Sequence, residues 1–293
     1  MSELTKRVLF GVVAAPIALV IVLAGGAPLA GLLAVAAAIG AWEFYRLAKA
    51  AGHDPLTDLG CALAGLTPLA VHAEHLGLYQ PKFSHLAAVL VLVISVALWA
   101  RGSGGKPTAA IATTILGALY TGGLLSFGYA IRNHDYAVGG SRVGSVEIAA
   151  GGVLLGLPLI IVWVTDVGAY FVGRGVGGPK LMPSVSPAKT VSGAIGGAVL
   201  SVVATWLYVR FALQPAAQLA MGPAGLVTFG VAVSLVSQLG DLVESMFKRE
   251  AGVKDSSRLL PGHGGVLDRL DSLFFALPVA YLLLGWLLVP APR

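Results

Sequence analysis

Nine times along this chain, an apolar run comes close to the length at which a helix crosses a bilayer. A hydrocarbon core of about 30 Å takes roughly 20 apolar residues as a helix. The runs are roughly 8–23, 29–47, 56–73, 85–100, 109–131, 148–171, 191–213, 224–246 and 270–289. Lipid offers no partner to backbone N–H and C=O groups, so each run must satisfy them internally, as a helix. The expected fold is therefore all-α: a polytopic integral membrane protein with about nine transmembrane helices. Composition agrees, because only 11% of the 293 residues are charged, against about 25% in soluble domains. Pro68 and Pro158 interrupt the third and sixth runs, which neighbouring helices can tolerate. The opening "MSELTKRVLFGVVAAPIALVIVLAGG" reads as a first span rather than a cleaved leader. Its apolar run is too long, and the small residues after it lead into another apolar segment. The single Cys61 excludes an internal disulfide and a cysteine metal site.

Nine spans place the loops alternately on two sides. Lys6, Arg7, Arg46, Lys49, Arg101, Lys106, Arg174, Lys180, Lys189, Lys248, Arg249, Lys254, Arg258 and Arg269 share one side, and Lys82, Arg132, Arg142, Arg210 and Arg293 the other. That is 14 of the 19 basic residues against 5. Cytoplasmic loops are Lys/Arg-rich, so the N-terminus is expected in the cytoplasm and the C-terminus on the opposite side. The same dispersal accounts for the net charge of +5 without nucleic acid as a partner. No internal repeat marks an inverted-repeat transporter, and no Walker loop or dinucleotide glycine fingerprint is present.

Charge enters the oil at two places. "SLVSQLGDLVESMFKRE" puts Asp241, Glu244, Ser245 and Lys248 at i, i+3, i+4 and i+7, one face of a helix. Asp268, Asp271 and Ser272 repeat the spacing at the start of the last run. A carboxylate at membrane depth costs a few kcal/mol and faces a cavity or a partner. Hard oxygen donors of this kind suit Mg²⁺, with a second metal ion left open. The structural alternative pairs Asp241 or Asp268 with Arg249 or Arg269. Between the two acidic stripes, "KREAGVKDSSRLLPGHGG" supplies Lys248, Arg249, Lys254 and Arg258, cations enough for a polyphosphate. Gly262, Gly264 and Gly265 surround His263 and permit close backbone approach. His263 is then either a phosphate contact or a plain turn histidine. Cations for an anion beside carboxylates for a metal describe a metal–polyphosphate site.

These residues resemble the signature of the phosphatidate cytidylyltransferases, also called CDP-diacylglycerol synthases. Ser245, Lys248, Arg249, Lys254, Asp255, Ser257, Leu260, Pro261, His263, Gly264, Gly265, Val266, Asp268, Arg269 and Asp271 fill every specified position of that pattern. Gly240, Asp241 and Glu244 also fit. An earlier block, "DVGAYFVGRGVGGPKLMPSVSPAKTVSG", resembles the family through Asp166, Ala169, Tyr170, Gly173, Arg174, Ser186, Pro187, Lys189 and Thr190. It departs at Ala188 and Ser192, where the family usually has Lys and Glu. The alternative for this block is a connector in which Asp166 pairs with Arg174. The resemblance covers roughly the last 130 residues. It divides the chain into membrane helices over 1–147, which look generic, and a catalytic membrane region over 148–293 with two cytoplasmic loops.

The resemblance implies transfer of CMP from CTP to phosphatidate, giving CDP-diacylglycerol and pyrophosphate, in a bacterial inner membrane with the site facing the cytoplasm. It implies CTP, phosphatidate and the bilayer as partners, and leaves a homodimer open. Asp241 and Asp268 become metal ligands, with Asp271 and Glu244 as further metal-site acids. Lys248, Arg249 and His263 become catalytic, while Ser186, Lys189, Ser245, Lys254, Arg258, Gly264, Gly265 and Arg269 hold substrate. Two other readings stand beside it: a CTP-dependent membrane lipid kinase and an ion-coupled transporter.

Overall fold

The computed structural model describes residues 3–134, 144–260, 262 and 264–291. Helices dominate, in the order α1 (Glu3–Ala24), α2 (Gly26–Ala50), α3 (Thr57–His75), α4 (Phe83–Arg101), α5 (Pro107–Ala118), α6 (Leu124–Arg132), α7 (Gly144–Val176), α8 (Val191–Tyr208), α9 (Gln214–Ala217), α10 (Pro223–Glu250) and α11 (Leu267–Leu287). A π-helical turn, Leu119–Gly123, joins α5 to α6, and another, Val209–Leu213, joins α8 to α9. Each of the nine apolar runs is helical over nearly all of its length. Seven helical stretches among the described residues are long and apolar enough to cross a membrane, and Val12–Ala24 is a shorter apolar helix. The protein is thus an α-helical polytopic membrane protein.

The first run is not among the seven, and neither is the third. Its helix, α3, carries Asp58, Glu74, His72 and His75, and its smallest residues serve packing rather than lipid contact. Two features lie outside the all-α expectation. β1 (Lys180–Met182) and β2 (Ser186–Thr190) form an antiparallel hairpin, and β3 (Leu219–Met221) pairs antiparallel with β4 (Leu288–Pro290). Periodicity cannot reveal strands of three to five residues.

The chain forms two compact units with interleaved segments. The first holds Met1–Ile17, Gly26–Tyr129 and Met246–Leu270; the second holds Ala18–Gly25, Ala130–Ser245 and Asp271–Arg293. Both differ from the division at 147/148, which follows motif content rather than packing.

In the first unit, Tyr45 of α2 is fully buried. Its ring lies where a Cβ on Gly60 of α3 or Gly117 of α5 would stand. The Tyr45 hydroxyl donates to the Thr114 carbonyl at 2.6 Å, and Thr114 Oγ1 accepts the Leu56 N–H at 2.8 Å. Beside it, Phe44 packs edge-on against Phe247 of α10, with ring centroids 5.3 Å apart, and Tyr120 completes the cluster. Aromatic pairs in this geometry contribute about 0.5–1.5 kcal/mol each beyond their burial. Together these contacts fix the C-terminal half of α2 and the end of α10 in one place.

In the second unit, small residues let α7 and α8 approach closely. Gly168 meets Gly197, and Gly173 meets Gly193. Thr165 and Ser201 share a hydrogen bond of 2.7 Å across the seam, and the Tyr208 hydroxyl donates to the Val153 carbonyl. Small residues plus interhelical hydrogen bonds are the usual means of association in lipid, where apolar burial gives no drive. Arg132 donates to the carbonyls of Val22 and Leu23, capping the C-terminal end of α1.

Candidate active site

The second unit brings the earlier sequence block to α10. Gly177 and Gly178 adopt positive φ, a conformation open to glycine, and turn the chain from α7 into the hairpin. Thr190 ends the hairpin and caps α8, its Oγ1 accepting the Gly193 N–H at 3.1 Å. Ser192, one of the two departures from the family pattern, donates to the Gly177 carbonyl. It therefore closes the base of the hairpin. Lys189, in β2 just before the cap, reaches Asp241 of α10, with Nζ 2.7 Å from Oδ2. Ser245, one turn on, donates to Asp241 Oδ1 at 3.3 Å. Asp166 of α7 lies within electrostatic reach of both Asp241 and Lys189. The Asp241 side chain remains 31% exposed. Arg174 donates to the Tyr170 hydroxyl at 2.8 Å. Ser186 opens β2 and is half-buried.

The first unit holds the centre of the signature loop. Asp268, in the first turn of α11, is 7% exposed. Its Oδ1 receives Lys248 Nζ at 2.9 Å. Its Oδ2 receives the Ser256 N–H at 3.0 Å, the Ser256 hydroxyl at 2.9 Å and the Gly265 N–H at 2.8 Å. Gly264 has φ +80, and a Cβ there would stand 2.9 Å from Asp268 Oδ2. Leu260 N–H donates to the Gly264 carbonyl at 2.9 Å, closing the turn. Lys254, Arg258, Arg249 and Arg269 are exposed around this knot. His263 lies outside the described residues, so its role stays where the sequence left it.

Several sequence expectations change here. Asp241 pairs with Lys189 of the hairpin and Asp268 with Lys248 of α10, two lysines that the sequence reading does not offer as their partners. Lys248 is held by Asp268 rather than standing apart with the exposed cations. Glu244 is fully buried. Asp271 Oδ1 accepts the Ser272 N–H at 2.6 Å, and Gly240 allows α10 to pass against the Asp271 carbonyl. Among the described residues no three Asp, Glu, His or Cys side chains group closely enough to hold a metal ion by themselves.

One residue escaped the sequence reading altogether. Glu43 of α2 is 0% exposed and accepts from Ser256 Oγ, Ser257 Oγ, Val266 N and Leu267 N. The signal was present: an acid inside the second apolar run, the same anomaly that singled out Asp241. The N-terminal helices are therefore not generic, since one of them holds the signature loop.

Residues 5–287 match the Cytidylyltransferase family. This chain belongs to that family. A Bacillus subtilis (strain 168) protein named phosphatidate cytidylyltransferase is 32% identical over 288 residues, 97% of this chain and 99% of its own. Proteins of the same name from Brucella suis and Haemophilus influenzae are 52% identical over 122 residues and 50% over 119 residues. Those two matches cover 42% and 41% of this chain, and 43% and 41% of the relatives. The family therefore extends over the N-terminal helices as well as the signature, and Glu43 falls inside the matched span.

Proposed function

We propose that this protein transfers CMP from CTP to phosphatidate, giving CDP-diacylglycerol and pyrophosphate for phospholipid biosynthesis. The observation that carries the reading is the complete signature from Ser245 to Asp271 in a chain that matches the family almost end to end. An oxygen of the lipid phosphomonoester attacks the α-phosphorus of CTP. The bond to the β-phosphate bridging oxygen breaks, and pyrophosphate leaves with the electron pair. A phosphomonoester has its second pKa near about 6, so the attacking oxygen is already largely anionic and needs no strong base. What remains is to bring two polyanions together and spread the charge of the leaving group, which is positioning and electrostatics.

The chain's own residues suit those tasks. The exposed Lys254, Arg258, Arg249 and Arg269 supply phosphate contacts, with Ser186, Lys189, Ser245 and the backbone at Gly264 and Gly265 as further substrate contacts. Asp241 and Asp268 are the proposed Mg²⁺ ligands, with Glu244 and Asp271 as the accompanying acids. Each aspartate already holds an ammonium at 2.7–2.9 Å, so each offers hard oxygen donors to a cation, which fits Mg²⁺. When bound, the ion would neutralise phosphate charge during transfer. Lys189 and Lys248 would then exchange a carboxylate for a phosphate oxygen.

A pyrophosphate-release assay with purified protein, phosphatidate, CTP and Mg²⁺ tests the reaction. Pyrophosphate together with a CMP-bearing lipid is the expected pair of products. CDP together with a newly phosphorylated lipid would instead mean a lipid kinase, and ion flux without CTP consumption a transporter.

The same reading places the protein in the bacterial inner membrane with nine crossings, the N-terminus inside and both motif loops in the cytoplasm. In a background lacking Cys61, a cysteine at exposed Ser103 should react with an impermeant thiol reagent only from the cytoplasmic face. One at exposed Gln80, across α4, should react only from the other face. Labelling of both from one side would break the nine-span orientation.

A further inference from the structure

Glu43 precedes Ser256 by 213 residues, yet it is bonded to the loop that carries the signature. Both of its oxygens are occupied. Oε1 accepts the Val266 N–H at 3.1 Å and the Ser257 hydroxyl; Oε2 accepts the Leu267 N–H at 2.6 Å and lies 3.2 Å from Ser256 Oγ. Val266 and Leu267 are consecutive N–H groups at the start of α11, where an anion is favoured by the exposed donors and the helix dipole. Ser256 stands between two carboxylates, with Oγ 3.2 Å from Glu43 and 2.9 Å from Asp268. It has one hydroxyl proton to offer. Asp268 takes backbone donors from Ser256 and Gly265. Gly265 is itself shaped by Glu43: a Cβ there would run into Ser256 Oγ and stand 2.6 Å from both Glu43 oxygens.

We infer that Glu43 is a positioning residue for the reaction: by holding Ser256, Ser257 and the first turn of α11, it sets the orientation of the Asp268 carboxylate and of Lys248 bound to it. The inference rests on the proposed reaction for its kinetic part only. Groups that orient a ligand or a catalytic carboxylate matter because small misplacements are amplified in rate. A buried network of this kind is sensitive to one donor or acceptor, since the low dielectric magnifies any mismatch.

Glu43→Gln keeps the shape but turns one oxygen into a donor. Whichever oxygen is replaced then faces a backbone N–H that cannot turn away, that of Val266 or Leu267. In the full chain in detergent, kcat per folded molecule should fall at least about thirtyfold while KM for CTP stays within about threefold. Trypsin cleavage after Lys254 and Arg258, on the held loop, should be at least about tenfold faster, with cleavage after exposed Arg174 unchanged. Glu43→Asp, which keeps the charge, should recover part of both effects. Folded Glu43→Gln protein with wild-type kcat, or with wild-type cleavage of the loop, overturns the inference. So does a loss of activity that vanishes once corrected for folded protein. If Glu43→Gln yields no folded protein, Ser256→Ala decides, because it removes only the bridging hydroxyl; wild-type kcat there overturns the inference. If the wild type itself releases no pyrophosphate, the reaction is wrong, and an unchanged loop cleavage rate in Glu43→Gln still overturns the positioning role.

Discussion

Asp241→Asn should lower cytidylyl transfer by at least about a hundredfold, the scale of losing a principal electrostatic stabiliser, while leaving the melting temperature near that of the wild type. The substitution keeps size and polarity and removes one charge. Asp241 is 31% exposed and bonds to Lys189 and Ser245, both of which can turn to water. Its fold contribution is therefore that of a partly solvated pair, worth little. Asp268→Asn should lose activity to a similar degree and also lose stability. Asp268 is 7% exposed, and its oxygens face Lys248, two backbone N–H groups and a hydroxyl. An amide nitrogen at either position meets a donor. Activity against Mg²⁺ concentration, together with melting temperature in detergent, separates the two. Asp241→Asn protein with near-normal activity would remove Asp241 from the site.

Lys248→Met should destabilise the first unit and abolish activity together. Removing one partner of a mostly buried ion pair leaves the other charge uncompensated, at a cost of about 3–5 kcal/mol; the Ser256 and Gly265 donors to Asp268 hold the loss near the lower end. The double change Lys248→Met with Asp268→Asn should be more stable than Lys248→Met alone, since no buried charge is then left unpaired, yet equally inactive. A double-mutant cycle on melting reads the coupling directly. Equal stability of the double and the single variant would show that Lys248 and Asp268 do not depend on each other. Exposed Lys254, in the loop after α10, serves as the contrast: Lys254→Met should leave the melting temperature near that of the wild type.

The partner of Lys248 was not legible in the sequence. Lys248 and Arg249 are both basic, both sit at the end of α10, and the signature contains both. The helical spacing of Asp241, Glu244, Ser245 and Lys248 placed Lys248 on the acidic face, and the fold then folded Ser256 and Asp268 over it. The partner of each aspartate depended on a hairpin and a loop turn whose geometry rests on short local bonds. The Gly177 and Gly178 turn, the Thr190 cap and the Leu260–Gly264 bridge leave no periodic trace.

Much else could be read directly. Apolar length compels helices in lipid, because an unsatisfied backbone has nowhere to go, and all nine runs are helical over nearly all of their length. The two charged blocks stood out because charge inside oil demands a reason. That argument, applied evenly, also marks Glu43 in the second run, although it cannot say what Glu43 touches. Sequence alone thus determined the class of fold, the family and the residues that carry charge into the membrane. Tertiary structure decided which charges meet: Lys189 with Asp241, Lys248 with Asp268, and Glu43 with a loop 213 residues away. The physical reason is range. Hydropathy and helical spacing act over a few turns of one segment, whereas a buried carboxylate is satisfied by whichever donors the packing of distant helices brings to it.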